Sequence, residues 1–170
     1  LVHRLFEEVS WLEEFEQDDA ELAATLDALE PDAVVREKAV RSFRGIVGKD
    51  GARSLLERGR QKGRDGLEPD VWREREFTVV LDDDGSSELW NGSFDRVVVW
   101  RDAKGKAKAA EVIDFKTDEL VASEVADKVE HYRPQLEAYR RVLAHMLELP
   151  AEGIEMRLFF TRLDRDCTVG

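Results

Sequence analysis

Two aspartates lie inside runs of residues that otherwise suit a protein core, Asp95 in one aromatic and β-branched run and Asp114 in another. Side chains alternate between the two faces of a strand, so Asp114 and Lys116 share one face while Phe115 lies on the other. An edge strand that exposes one acid and one base would show the same pattern. If the two runs are neighbouring strands, however, they bring two carboxylates together.

Two adjacent carboxylates repel each other, and a divalent cation between them removes the repulsion. The chain has one cysteine, Cys167, and three histidines, which argues against disulfide frameworks, multi-cysteine zinc sites and iron–sulfur clusters. Oxygen ligands favour Mg²⁺ or Mn²⁺. Such a cation lowers the pKa of bound water and offsets charge on a phosphoryl oxygen, while Lys116 can position the nucleophile or stabilise negative charge. The pattern therefore predicts a site that cleaves phosphodiesters.

Helical segments precede the runs that carry these residues. Apolar residues recur at helical spacing from His3 to about Glu30, which predicts one long or broken helix, and Asp32 is a candidate N-cap for the next. Shorter helical segments then reach residue 56. A polar connector rich in glycine follows over residues 59–69.

The second half of the chain is rich in strands. Aromatic and β-branched residues predict an antiparallel meander of three strands over residues 72–81, 88–100 and 108–116. A helix is predicted from Ser123 to about Leu149, interrupted by Pro134, and a last strand over residues 154–161. The predicted order is helices, three strands, a long helix and one strand.

Five motifs resemble, in order and spacing, those of the PD-(D/E)XK nuclease superfamily, most closely the C-terminal nuclease domains of RecB-type and AddA-type helicase-nucleases. They are Leu-Val-His-Arg-Leu-Phe-Glu at residues 1–7, Glu-x-x-Phe at 74–77, Gly-Ser-Phe-Asp-Arg-Val at 92–97, Val-Ile-Asp-Phe-Lys-Thr at 112–117 and Tyr-x-x-Gln-x-x-x-Tyr at 132–139. Phe94 stands where the superfamily's name places proline. The resemblance implies an α/β, restriction-endonuclease-like αβββαβ core, with a mixed sheet flanked by helices and an N-terminal helical segment.

The resemblance also implies roles for individual residues. The implied metal ligands are His3, Asp95, Asp114 and the Phe115 carbonyl. The implied catalytic residues are Asp95, Asp114, Lys116, Gln135 and Tyr139. Glu74 would be a supporting acid, and Tyr132 opens the helical motif that flanks the site.

Two of these assignments have simpler interpretations. Glu74 and Glu76 alternate with arginines, so cross-strand ion pairs are favoured over direct metal binding for both acids. Gln135 and Tyr139 are one helical turn apart and fit an ordinary side-chain pair equally well.

The implied function is that of an exonuclease V-like, Mg²⁺- or Mn²⁺-dependent deoxyribonuclease without an iron–sulfur cluster. It would cleave single strands delivered by an attached helicase during double-strand break repair and recombination. A catalytically silent domain that binds DNA or protein on the same scaffold is the alternative. Intact Asp95, Asp114 and Lys116 favour the enzyme.

The expected context is a longer helicase-nuclease, because the sequence opens in helical register without a methionine. Residues 1–170 would form one nuclease domain, mainly helical over 1–66 and catalytic over 70–170. Expected partners are single-stranded DNA and the helicase region of the same chain, and a second helicase-nuclease subunit is a further candidate. No membrane is expected, and the expected location is the bacterial cytoplasm, at the nucleoid.

The net charge of −12 argues against a general polyanion-binding protein, but the charge is unevenly distributed. Residues 1–32 contain eleven acids and one base, whereas residues 36–64 contain ten bases and three acids. Either the two blocks neutralise each other, or the basic block follows a phosphate backbone.

Overall fold

The computed structural model describes residues 1–61, 64, 66–83 and 85–170. Lys62 of the basic block, Gly63 and Asp65 of the connector, and Asp84 lie outside the described residues. The described helices are α1 (Val2–Phe6), α2 (Asp19–Ala24), α3 (Ala33–Val47), α4 (Asp50–Leu56) and α5 (Val125–Leu147). The described strands are β1 (Glu68–Asp83), β2 (Ser86–Arg101), β3 (Ala107–Lys116), β4 (Ile154–Phe160) and β5 (Arg165–Val169).

The strands form one mixed sheet in the order β1-β2-β3-β4-β5. The first three strands are the predicted antiparallel meander, β4 is parallel to β3, and β5 returns antiparallel to β4. A parallel pair needs a crossover connection, and α5 provides it between β3 and β4. The predicted α/β, restriction-endonuclease-like fold with helices flanking a mixed sheet is confirmed, and β5 is an addition to the predicted order.

The helices cover both faces of the sheet, and β3 contributes alternate residues to the two cores. Val112 packs in the core beneath α5, whereas Ile113 and Phe115 pack in the core formed with α1, α3 and α4. Asp114 therefore points to the same face as Val112, as strand alternation predicts.

The N-terminal segment is broken rather than one long helix. After α1, a short 3₁₀ turn at Leu12–Glu14 precedes α2, which begins with a capping box between Asp18 and Glu21. Asp32 caps α3 by accepting a hydrogen bond from the Val34 N–H at 2.8 Å, as predicted.

The predicted interruption of the long helix at Pro134 is wrong, because α5 is continuous through that residue. Proline removes one backbone donor and crowds the preceding turn, at a cost of about 3 kcal/mol in a helix interior. Leu136 and Leu143, both fully buried, pack the C-terminal half on the sheet, and Val125 and Val129 pack the N-terminal half. Burial on both sides of the proline offsets its local cost. None of the described helices is long and apolar enough to cross a membrane.

Candidate active site

The site lies where β2 and β3 separate. Their ladder ends at the pair Arg96–Ile113, and Asp95 and Asp114 are the next residues along the two strands. The Phe115 N–H donates a hydrogen bond to Asp95 Oδ2 at 2.8 Å instead of to the backbone of β2. We call this point the fork. It brings the two aspartates selected from the sequence to one place.

The first helix carries His3 to the fork. His3 Nε2 lies 2.9 Å from Asp95 Oδ2, and Nδ1 lies 3.4 Å from Glu7 Oε1. The hydrogen bond with Asp95 is the main reason that the pKa of His3 rises to about 9. Without a metal, a protonated imidazole is therefore the counter-ion of Asp95 at neutral pH.

A buried arginine anchors the chain just after α1. Arg96 is 1 % exposed and donates hydrogen bonds to the carbonyls of Val9 at 2.8 Å and Ser10 at 2.6 Å. Its guanidinium also lies 5.1 Å from the centre of the Trp11 ring. Burial lowers the pKa of Arg96 to about 10, so the side chain stays charged at neutral pH. Sequence reasoning did not single out Arg96, although a charged residue after Asp95 in an apolar run was the available signal.

Glu74 also lies at the fork, which differs from the interpretation favoured from sequence. One ligand atom from each of His3, Glu74 and Asp95 can be chosen so that all three lie within 4.8 Å of one another. Glu74 has a left-handed φ of 42°, which is unfavourable for a residue with a Cβ and is enriched at functional sites. Its neighbour Glu76 keeps a regular pairing, opposite Ser93, and is exposed.

The Asp114 carboxylate is paired with the catalytic candidate Lys116. Asp114 is 2 % exposed, and its Oδ2 lies 2.6 Å from Lys116 Nζ. Burial, and then the negative charge of Asp95, raise the pKa of Asp114 to about 6, although Lys116 opposes that rise. Asp114 lies outside the group of ligand atoms that His3, Glu74 and Asp95 form.

Residues of α5 hold the Lys116 ammonium from the other side. Lys116 Nζ lies 3.5 Å from Gln135 Oε1 and 3.9 Å from the centre of the Tyr132 ring. Gln135 Nε2 in turn donates to the Tyr139 hydroxyl at 3.0 Å. The Tyr132 hydroxyl lies 3.1 Å from Asp118 Oδ2. The helical motif therefore surrounds the lysine, and the pair Gln135–Tyr139 is part of that environment.

Gly92 in the β2 motif makes room for the aromatic support of Tyr139. A Cβ at Gly92 would lie 2.8 Å from Phe77 Cζ, so a larger residue would displace that ring. Phe77 and Phe94 have ring centres 4.6 Å apart, and Tyr139 packs edge-on against Phe94 at 5.1 Å. The missing side chain at Gly92 therefore leaves room for the Phe77 ring, which packs with Phe94 against Tyr139.

The donor set fits a hard divalent cation. Its carboxylate oxygens are the ligands that Mg²⁺ and Mn²⁺ prefer, and its one imidazole is a nitrogen donor that transition metals accept more readily than Mg²⁺ does. Among the described residues, Glu74 Oε1 is buried without a hydrogen-bond partner, whereas Asp114 Oδ2 is paired with the Lys116 ammonium. Burial and the charges of Glu7 and Asp95 also raise the pKa of Glu74. A cation would supply a partner for the Glu74 oxygen and would relieve the repulsion between the carboxylates.

Comparison with known proteins agrees with this geometry. The family model of the PD-(D/E)XK nuclease superfamily matches residues 1–169, and the chain therefore belongs to that superfamily. Members of this superfamily are generally nucleases that use divalent metals. No curated protein matches the chain.

Proposed function

We propose that this chain is a metal-dependent deoxyribonuclease domain that hydrolyses phosphodiester bonds in single-stranded DNA. One observation carries the proposal, the juxtaposition at the fork of a lysine and three residues whose ligand atoms could hold a metal ion. His3, Glu74 and Asp95 have ligand atoms within 4.8 Å of one another, and the ion pair of Asp114 and Lys116 adjoins them. Membership of the nuclease superfamily supports the reaction class.

We assign His3, Asp95 and Asp114 as ligands of Mg²⁺, or of Mn²⁺ in its place, with the Phe115 carbonyl as a further ligand. Glu74 is added to this set because one of its carboxylate oxygens belongs to the same cluster and its Oε1 is buried without a hydrogen-bond partner. When bound, the cation supplies Lewis-acid stabilisation of a phosphoryl oxygen and a bound water of lowered pKa.

Lys116 contributes a preorganised positive charge to the reaction. Asp114 and Gln135 contact its ammonium from two sides, so little reorganisation is needed when negative charge develops on the phosphoryl group. The ammonium also orients the attacking water as a hydrogen-bond donor. Gln135 and Tyr139 keep the lysine in this position through their mutual hydrogen bond.

The cellular role proposed for the domain follows the RecB and AddA resemblance. Residues 1–170 act as one nuclease domain of a longer chain, and an attached helicase delivers single strands during double-strand break repair and recombination. A second helicase-nuclease subunit is a candidate partner, and the site of action is the bacterial nucleoid. Delivery by a linked motor suits a chain with a net charge of −12, because tethering raises the effective concentration of a strand that this charge repels.

A calorimetric titration with Mn²⁺ tests the metal assignment. We expect Asp114→Asn to weaken Mn²⁺ binding by at least about tenfold, as loss of a ligand or of its support does. Asp127→Asn is the matched control, because Asp127 is an exposed acid near the start of α5 and should leave the affinity unchanged. Equal affinities for wild type and Asp114→Asn would show that the site is assigned wrongly.

A further inference from the structure

A row of three exposed cations lies along α3 and the turn that follows it. Lys38 and Arg41 share a face of α3 with the small residues Ser42 and Gly45, and Lys49 follows two residues after the helix ends at Val47; all five are exposed. The opposite face of the helix packs into the core through Val40, Phe43 and Ile46, all buried. The row therefore belongs to the surface, where side-chain charge is available to a partner.

Two adjoining grooves connect this row with the fork. The first, of about 380 Å³, is lined by His3 and Thr117 at one end and by Lys38 and Ser42 at the other. The second, of about 600 Å³, continues from Lys38 and Ser42 along α3 and past its end to Lys49. Arg162 lines both. A continuous surface groove thus runs from the candidate active site along the basic face of the helix.

The charges of this row are less neutralised than those elsewhere in the same basic block. Arg53, Arg58 and Arg60 each lie within 3.3 Å of a carboxylate, those of Glu57, Glu14 and both Asp50 and Glu57 respectively. In the part of the chain that the structure describes, by contrast, Lys38 and Lys49 have no carboxylate within ion-pair distance.

Arg41 is an intermediate case. Its one ion pair among the described residues, with Glu37, spans 3.8 Å between two side chains about two-thirds exposed. An exposed pair of that kind contributes little, so the guanidinium remains available to an anionic partner.

We propose that this groove, lined by Lys38 and Arg41 of α3 and by Lys49 just after it, is the track along which a single DNA strand runs between solvent and the active site. The proposal rests on the proposed function, since it assigns a surface to that substrate. Lys38 and the end of α3 at Val47 are nine residues apart, or about 14 Å at the helical rise, and Lys49 extends the row beyond that end, which suits a few nucleotides of one strand. A single row of cations matches one phosphate backbone, and a duplex would bring a second backbone against a chain of net charge −12.

Binding without metal tests the track directly. Fluorescence anisotropy of a labelled dT20 strand, in EDTA and over a range of salt concentrations, would be compared for two variants that each lose three positive charges. The track variant is Lys38→Gln/Arg41→Gln/Lys49→Gln, and the control is Arg53→Gln/Arg58→Gln/Arg60→Gln. Because net charge changes equally, any difference reports where the strand lies.

We expect the track variant to bind dT20 at least about tenfold more weakly than the control at low salt. Its salt slope should fall by about 2, because each single-strand phosphate contact contributes about 0.7. Equal losses in the two variants, or no loss in either, would overturn the proposed track. Tighter binding of a 20-bp duplex than of dT20 by the wild type would overturn the assignment to a single strand.

A small substrate separates this proposal from the proposed function. Bis(p-nitrophenyl) phosphate reaches the site without the groove, so with Mn²⁺ the track variant should lose at least about tenfold more activity on dT20 than on the small diester. If the wild type hydrolyses neither substrate, the proposed function fails, while the anisotropy comparison still decides on the track. Equal losses on both substrates would contradict the track alone.

Discussion

A change at Lys116 can test the reaction at the fork separately from metal binding. Its protonated amine contacts Asp114 and Gln135 and has no electron pair to offer a cation. We expect Lys116→Ala to lower the rate of Mn²⁺-dependent strand cleavage by about two orders of magnitude or more, as loss of one preorganised electrostatic contact does, and to retain Mn²⁺ binding in calorimetry.

The control for this change is Lys128→Ala. Lys128 lies 3.8 Å from Asp118 and 5.9 Å from the Tyr132 ring, so it adjoins the site without entering it. That variant should cleave at nearly the wild-type rate. Wild-type cleavage by Lys116→Ala would remove the lysine from the mechanism.

Glu74 and Glu76 are a matched pair two residues apart on β1. Glu74 lies within the cluster of ligand atoms, whereas Glu76 is exposed and opposite Ser93. We expect Glu74→Gln to weaken Mn²⁺ binding by about tenfold or more, since the neutral amide keeps the shape but removes the charge. Glu76→Gln should leave the Mn²⁺ affinity unchanged in the same titration. Equal effects of the two changes on the Mn²⁺ affinity would show that Glu74 is not a metal ligand.

The raised pKa of His3 makes the stability of the metal-free chain depend on pH. A basic group with a pKa near 9 in the folded chain and 6.5 when unfolded stabilises the fold fully below pH 6.5 and loses that contribution as the pH rises through about 9. Solvent screening of a side chain that is 35 % exposed limits the contribution to about 1 kcal/mol.

Urea unfolding in EDTA measures this contribution. Wild type should exceed His3→Gln by about 1 kcal/mol at pH 6, and the difference should vanish near pH 9.5. A difference that grows with rising pH would contradict the sign of the pKa change.

Several site residues follow from the sequence for physical reasons, and others do not. The alternation of strand residues places Asp114 and Lys116 on one face. The contact of His3 with Asp95 joins residues 92 positions apart, so only the motif resemblance indicated it. The sequence interpretation of Glu74 assumed that side chains alternate between the two faces of a regular strand. Glu74 does not follow this alternation, because its φ of 42° departs from regular strand geometry.

The helices and strands also divide into those that the sequence predicts and those that it does not. Long periodic segments, such as the meander and α5, were predictable because many residues support each assignment. Strand β5 was missed because it is short and only Val169 in it is fully buried, so it lacks an apolar alternation. Pro134 misled the helix prediction, since packing of α5 on the sheet outweighs the local cost of the ring.

Arg96 links α1 to the sheet and acts on the site through that link. We expect Arg96→Met to weaken Mn²⁺ binding although the residue is no ligand, because the carbonyls of Val9 and Ser10 lose their donor and His3 loses its fixed position. Stability should fall by about 1–3 kcal/mol, the cost of leaving buried acceptors unpaired.

The control for Arg96→Met is Arg101→Met, which changes another arginine of β2. Arg101 contacts Asp70 and the Gly105 carbonyl, away from α1. Calorimetry should show no loss of Mn²⁺ affinity in that variant. An Arg96→Met protein that binds Mn²⁺ as the wild type does would show that α1 is positioned without the arginine.

Across the whole molecule, the acidic and basic blocks partly neutralise each other, as one of the two sequence interpretations expected. Asp27, Asp19 and Glu14 of the acidic block pair with Arg36, Arg44 and Arg58 of the basic block. Lys38, Arg41 and Lys49 take no part in these pairs between the blocks in the described residues. Neutralisation between the blocks is therefore confirmed for part of the helical half, and binding of a phosphate backbone by the remaining cations stays a prediction.

The central claim is that the fork hydrolyses phosphodiesters with a bound divalent cation. The most direct test follows cleavage of a 5′-labelled single strand against Mn²⁺ concentration for the wild type, Asp95→Asn and the surface control Asp127→Asn. We expect wild type and control to cleave with the same saturable dependence on Mn²⁺ and to stop in EDTA, and Asp95→Asn to lose at least about two orders of magnitude in rate. Cleavage by Asp95→Asn at the wild-type rate, or undiminished cleavage in EDTA, would contradict the account.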